Sequence, residues 1–404
     1  MRLSYNPLGK YIQQVNVRNS DLAITNLLGV SMEKTFISSV ANLNGVDLSV
    51  YKVLSKNQLA CKLMSVGRDE KLPVDLYKDE NPAIVSSAYY VFEPKDKNEL
   101  LPEYLMMWLC RSENDRYIGF ISGGDVRGGI SWETFCSLPI RVPHIDKQRE
   151  IVKEYNTIQN LIVRNQQLIQ KLEETAQAIY REWFVEFEFP DENGKPYKSN
   201  GGKMVWNEEL GKEIPEGWEI KPFTKVVKFG GGGTPSTENA EYWNGDVPFY
   251  TPGDLSENYY CICTEKKITK LGLQKCSSKL YPTNTTFITA RGATVGGVGL
   301  AGIPMAMNQT CYAVNGDGLN DFYIHQLTLE VMSLLKNEAV GATFEALVTK
   351  DFDGKTVIQP SFDLTSQFSM KIKSAYQFIL NKILENQKLT ELKALLLSKL
   401  ATVE

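Results

Sequence analysis

The chain has 404 residues, 44 of them basic and 48 acidic, for a net charge of −4. That length supports two or three domains with real cores, and ordinary apolar and charged fractions fit a globular protein rather than a polycation or a low-complexity tract. No apolar run reaches the roughly 18–20 residues that span a membrane, and the first residues lack a charged-then-apolar leader pattern, so a cytoplasmic protein with no membrane partner is expected.

Residues 1–146 read as a mixed α/β domain. Strand-like runs lie at 50–54 and 83–92, and a helix is expected over 102–116, with Pro102 at its start and Leu105, Trp108 and Leu109 on one face. From Asp146 the pattern changes. Ile151, Tyr155, Ile158, Ile162, Asn165, Ile169, Leu172, Ala176, Ile179 and Trp183 alternate spacings of four and three, which is a heptad seam. Residues 147–188 therefore predict one long helix, about 60 Å at ~1.5 Å per residue. Such a helix exposes its seam and needs a partner. A Gly/Pro/Lys/Asn-rich stretch follows, and 189–214 reads as a linker or exposed hairpin. Residues 215–362 then form a second globular α/β region, and 363–404 a C-terminal long helix.

The chain repeats itself. Residues 124–183 align without a gap on 341–400: Gly124 on Gly341, Phe135 on Phe352, Pro143 on Pro360, Asp146 on Asp363, Gln170 on Gln387. The second helix supplies the partner of the first, keeping the register with Phe368, Ile372, Ala375, Ile379, Leu389, Leu396 and Leu400. Asn165 lies on the first seam, and Lys382 holds the matching position of the second. A polar seam residue can fix register, and both can instead face water. The fold class is α/β (α+β): two globular domains separated by two long antiparallel helices in a coiled coil, with an internal pseudo-twofold repeat. Two copies of one surface suit a target with two parts, and DNA with two half-sites is the obvious candidate.

No catalytic set stands out. Seven cysteines without C-x-x-C, with His144 and His325 as the only histidines, argue against a metal site. The Gly-rich run 230–237 lacks the Gly-Lys-Ser/Thr of a phosphate-binding loop; Thr234-Pro235 takes that place. There is no Pro-Pro, and so no Asn/Asp-Pro-Pro-aromatic amine-methylating motif. Asp353-Gly354-Lys355 has the D-x-K spacing of many nucleases, yet Cys136-Ser137-Leu138 replaces it in the other repeat, which favours a turn.

Nucleic-acid contact must come from local clustering, because residues 1–146 hold 16 basic and 17 acidic groups and residues 215–362 hold 12 and 15. The best basic cluster is Lys266, Lys267, Lys270, Lys275 and Lys279. Arg291 precedes Gly292, Ala293 and Thr294 after a strand-like run, with Gln309 further on; Arg reads guanine and Gln reads adenine in the major groove. Arg68 and Arg127 stand beside glycines in the first domain, where Ser86, Ser87 and Tyr89 add hydroxyls. For any single one, a surface ion pair or a turn is the plainer role. The candidate DNA-binding set is Lys34, Arg68, Ser87, Tyr89, Arg127, Thr234, Lys266, Lys267, Lys270, Arg291, Thr294 and Gln309.

Beyond these patterns, the chain resembles the specificity subunit of type I restriction–modification enzymes over nearly its whole length. The resemblance rests on LGVSMEKTFI (28–37), AIVSSAYYVF (83–92), LPEYLMMW (101–108), KQREIVKEYN (147–156), WFVEFEFP (183–190), GKPYKSNGGKMV (194–205), IPEGWE (214–219), GGGTPST (231–237), YWNGDVPFYTPGDL (242–255) and RGATVG (291–296). It implies two target-recognition domains, each reading half of a split double-stranded DNA sequence, with the helices holding them apart. It also implies a non-catalytic subunit that docks two methyltransferase subunits and joins motor–nuclease subunits. S-adenosylmethionine, ATP and Mg²⁺ are then expected on those partners and no cofactor on this chain. The last helix has no counterpart of WFVEFEFP, an asymmetry the family often shows. A reading from another class is a helical adaptor that assembles protein partners without touching DNA.

Overall fold

The computed structural model describes residues 5–39, 46–64, 66, 70–122, 128–316, 318–338 and 346–400. The chain divides into two compact units, Met1–Ile162 with Lys388–Glu404, and Val163–Gln387. The divide falls inside the long helices rather than at their ends, because each globular region packs against a portion of both.

In the first unit, β1 (Ile12–Val15), β2 (Leu27–Val30), β3 (Phe36–Ser38), β4 (Lys52–Leu54), β5 (Leu59–Cys61), β6 (Val74–Leu76), β7 (Ala83–Val85) and β8 (Tyr90–Pro94) form two four-stranded sheets. One runs β1-β8-β5-β6, all antiparallel; the other runs β3-β2-β7-β4, with β2 and β7 parallel. The strand-like run 83–92 thus splits between the sheets at a turn over 86–89. The helix expected over 102–116 also splits, into α1 (Pro102–Leu109) and α2 (Ser112–Ile121). Arg111 between them is extended (ψ 133°) and serves as the N-cap of α2. After α3 (Trp132–Cys136) comes α4 (Ile145–Phe184), a single helix of 40 residues.

In the second unit, of the two readings of 189–214, linker or exposed hairpin, the structure shows the hairpin. β9 (Met204–Asn207) and β10 (Lys212–Pro215) form a hairpin, and the Phe189 ring stacks between Tyr197 (4.5 Å) and Trp218 (5.2 Å). Burying those rings outweighs the flexibility its glycines suggest. β11 (Glu219–Pro222) pairs with the strand before the last helix. Then β12 (Val227–Gly231), β13 (Trp243–Tyr250), β14 (Tyr260–Cys261), β15 (Lys266–Ile268), α5 (Lys270–Gln274), β16 (Thr286–Thr289), β17 (Val298–Ala301), β18 (Ala306–Met307) and β19 (Cys311–Gly316) follow. They make a five-stranded sheet, β12-β19-β16-β17-β14, and a three-stranded one, β15-β13-β18. α6 (Asp321–Glu338), β20 (Thr356–Gln359, the partner of β11) and α7 (Phe362–Lys399) complete the chain.

The two long helices run antiparallel within each unit. In the first, Lys393 Nζ donates to Gln159 Oε1 (2.6 Å) and lies 5.1 Å above the Tyr155 ring. Ile151 and Leu400 are buried there, Tyr155 and Leu396 pack on the same core, and Ile158, Ile162 and Leu389 are half-buried. In the second, Trp183 and Phe184 meet Phe368 at ring distances of 5.8 and 5.1 Å. Ile169, Ala176, Ile372 and Ile379 are buried around them, with Leu172 and Ile179 packed alongside. Each such side chain contributes about 1.5–3 kcal/mol on leaving water. The residue facing Asn165 is not its repeat counterpart Lys382. Asn165 Nδ2 donates to Asn386 Oδ1 (2.9 Å), whereas Lys382 turns to Glu385 (2.6 Å). Equivalent positions in a repeat do not face each other when the copies run in opposite directions. Among the described residues no helix is long and apolar enough to cross a membrane.

A partly buried polar network ties α4 to the second globular region. Glu173 accepts from Tyr259 N–H (2.8 Å), and Gln177 and Gln326 donate to the Tyr259 hydroxyl. Burial pushes the Glu173 carboxyl up to about 7. A raised acid favours the native state in its protonated form, so this contribution is present at acid pH and lost as pH rises through about 7. Glu173→Gln keeps an acceptor for Tyr259 and removes the charge. Thermal melts should show the variant more stable than the parent at about pH 8, on the order of 1 kcal/mol after solvent screening, with the gap closing towards about pH 5.

Candidate nucleic-acid interface

Strand direction in the second unit collects four connections at one end of its two sheets. β12 ends at Gly231 opposite Tyr312, β16 ends at Thr289 opposite Cys311, and β13 and β18 end together at Tyr250 and Met307. The segments 232–236, 251–254, 290–297 and 308–310 therefore meet. They are tied to one another by Gly233 N to Met307 O (3.0 Å), Asn308 N to Tyr250 O (3.0 Å) and Ala290 N to Thr310 O (2.8 Å). Side chains add ties: Thr234 donates to Gln309, and the Thr294 hydroxyl donates to Pro252 O (2.9 Å). Asp254 accepts from Thr251 N and Oγ1 and from Glu265 N, so its charge is absorbed locally.

On this frame Thr234, Gln309 and Arg291 are exposed, and Thr294 is half-buried as a loop brace. Arg291 has no ion pair among the described residues, and Gly292 beside it has φ +100°, a conformation open to glycine. Lys266 and Lys267, both exposed, lie on β15 opposite Phe249 and Pro248, near the same end. Lys270 does not join them. It starts α5 beyond Thr269, whose N–H bonds Tyr242 O at the far end of β13. Lys275 and Lys279, in contrast, flank Ser277, whose hydroxyl donates to Gly232 O (3.2 Å), so both stand beside the glycine loop. No spacing in the sequence reveals that fold-back.

The first unit gathers a smaller set of groups. β7 ends at Val85 opposite Leu28 of parallel β2, and β2 runs two residues further to Val30, which meets the Tyr89 side chain of the 86–89 turn. The Tyr89 hydroxyl accepts from Val30 N–H (3.0 Å), and Ser87 is exposed. Lys52, opposite Val85, donates to Tyr89 O (2.6 Å) and lies 5.4 Å above the Tyr90 ring. Its burial lowers the ammonium pKa, and exposed Arg18 is bridged to it. Arg18 and Lys52 are additions that the sequence reading lacked. Lys34 is a correction. Its φ of +58° turns the side chain inward, where it bonds Asp115 (2.8 Å) and Leu109 O (2.7 Å) with only 9% exposed. It serves the core of this unit and is not presented to a phosphate. Arg68 and Arg127 lie outside the described residues.

His325 and the D-x-K run serve the fold. His325 is fully buried against Tyr259 and Tyr376, and burial lowers its pKa to about 3. Lys355 of the D-x-K run pairs with Glu338 and its carbonyl accepts from Phe223 N–H, closing the end of the domain. No group of three His, Cys, Asp or Glu side chains able to hold a metal occurs among the described residues.

This geometry belongs to a known family. The model of the type I restriction modification DNA specificity domain matches residues 75–174 and 215–394, and the chain is a member of that family. It is 26% identical to the type I restriction enzyme HindI specificity subunit of Haemophilus influenzae, over 91% of this chain and 90% of that one. It is 24% identical to the MjaIX specificity subunit of Methanocaldococcus jannaschii, over 80% and 72%. The crystal structure of a type I restriction-modification system S subunit from M. genitalium shares the fold, with a TM-score of 0.58 at 15% identity over 99% and 96% of the two chains.

The loop cluster depends on close backbone contact at Gly232. A Cβ there would stand 1.9 Å from the Asn308 carbonyl oxygen, whereas one at the adjacent Gly231 meets nothing within 4 Å. Gly232→Ala should therefore cost about 1–3 kcal/mol by thermal melt, and Gly231→Ala about 0.5 kcal/mol or less.

Proposed function

We propose that this chain is the DNA-reading subunit of a type I restriction–modification complex, with no chemistry of its own. The first globular region reads one half-site and the second the other. The helix pair sets their spacing, near one turn of DNA or roughly 34 Å. Lysines and arginines hold phosphates, while a few polar side chains read base edges. The observation that carries this reading is the loop cluster of the second unit, where hydroxyl, amide and guanidinium groups stand together on glycine-rich backbone.

The helices also dock two methyltransferase subunits, and motor–nuclease subunits join through them; S-adenosylmethionine, ATP and Mg²⁺ bind on those partners. A slightly acidic chain binds DNA weakly alone, so the assembled complex is the right object to measure. Expressed with its methyltransferase in a host lacking adenine methylation, the chain should yield N6-methyladenine at a split motif around an unspecified gap. Exchange of one globular region should change one half of the motif only. A stable complex without methylation would favour the adaptor reading.

The contact residues make a separate prediction. Arg291→Ala should weaken DNA binding by the complex by about 1–3 kcal/mol and relax one position of the motif. Lys266→Ala should lower the log–log salt slope by about 0.9 with the motif unchanged. Lys270→Ala, at the far end of β13, should do neither; equal effects from all three would place the DNA elsewhere.

A further inference from the structure

The repeat creates a pairing problem. α4 and α7 are copies, so a second α4 from another chain resembles the proper partner. In the antiparallel arrangement Asn165 faces Asn386, and the repeat counterpart of residue 386 is Ile169. Two α4 helices paired in the same geometry would therefore set Asn165 against Ile169. The other seam residues of α4 are Ile, Leu, Ala, Tyr and Trp, which tolerate self-pairing.

Within its own chain Asn165 is 6% exposed and has two acceptors on α7. One is Asn386 Oδ1 (2.9 Å). The other is Glu385, which is held by Lys382 and also receives a hydrogen bond from Asn165. A second α4 supplies Ile169 and Leu168 at those places. Neither can accept, and the amide would be buried without a partner, which forfeits its full hydration. We propose that Asn165 is a pairing-selectivity residue: it directs α4 onto α7 of the same chain and against α4 of a second copy. An apolar residue would pack as well or better in both arrangements and would not distinguish them. This role goes beyond DNA reading and does not depend on it.

The test is sedimentation equilibrium of the full chain over a concentration series after refolding, comparing Asn165→Ile, Asn386→Ile and the double variant. Asn165→Ile removes the obstacle to self-pairing and weakens the proper pair, so its dimerisation constant should rise about 100-fold or more. Asn386→Ile leaves Asn165 with Glu385 and keeps the obstacle, so it should stay near the unaltered chain. The double variant should fall between them. A purely structural hydrogen bond predicts a different pattern: the single variants associate equally and the double variant behaves like the parent. That pattern would overturn the proposal, as would an Asn165→Ile protein as monomeric as the parent. Should Asn165→Ile fail to fold, the double variant decides, since it buries no unmatched amide at this pair; it must associate more strongly than the parent.

Discussion

A forty-residue amphipathic helix carries a stripe of apolar surface that water does not tolerate, and the rest of this molecule follows from covering it. In the first unit Ile151 and Tyr155 share a core with Leu396, Leu397 and Leu400, and that core takes in α1 and the β1-β8-β5-β6 sheet. In the second, Tyr180, Trp183 and Phe184 of α4 close on Phe368, and Tyr323 of the globular region joins the same aromatic cluster. Helix and globular region thus share one core in each case. A variant that loosens the seam is expected to loosen the domain built against it, which is why the units divide inside the helices and not beside them.

With that scaffold fixed, the loops at the sheet ends are free to differ. The second unit joins its four segments through backbone groups and short side chains, with glycine where segments cross most closely. Such joints make few demands on the outward-facing residues. Thr234, Gln309 and Arg291 can change without disturbing the core, whereas Gly232 cannot. A reader of variable sequence needs that separation between a constant frame and a replaceable edge.

The helices and the repeat were legible in the sequence because heptad spacing is a direct image of side-chain burial. All ten seam positions of α4 come out buried or half-buried. What was not legible depends on contacts between distant residues. Lys34 reads as a surface cation until α1 and α2 bring Leu109 O and Asp115 to it. Lys270 belongs to the lysine cluster in sequence, yet a β-strand carries it away from Lys266. Ser277 brings Lys275 and Lys279 back to the glycine loop by a fold that no periodicity encodes. Composition leaves 189–214 open between a linker and an exposed hairpin, and the Phe189 ring between Tyr197 and Trp218 decides for a packed hairpin. Repeat position makes Lys382 the counterpart of Asn165, but the residue that faces Asn165 across antiparallel helices, Asn386, shows only in the packing.

Charge gives the last constraint. Lysines and arginines here are balanced by acids within each globular region, so the long-range field that draws a polycation to DNA is weak. For the DNA reading proposed above, this shifts the burden to short-range geometry at the sheet ends. The loop cluster turns Asp254 inward onto three donors, which leaves Arg291 and the nearby lysines to set the local potential. A site of that kind would discriminate by geometry rather than by net charge. On the proposed reading, low non-specific affinity would keep such a subunit from being held on the wrong sequence.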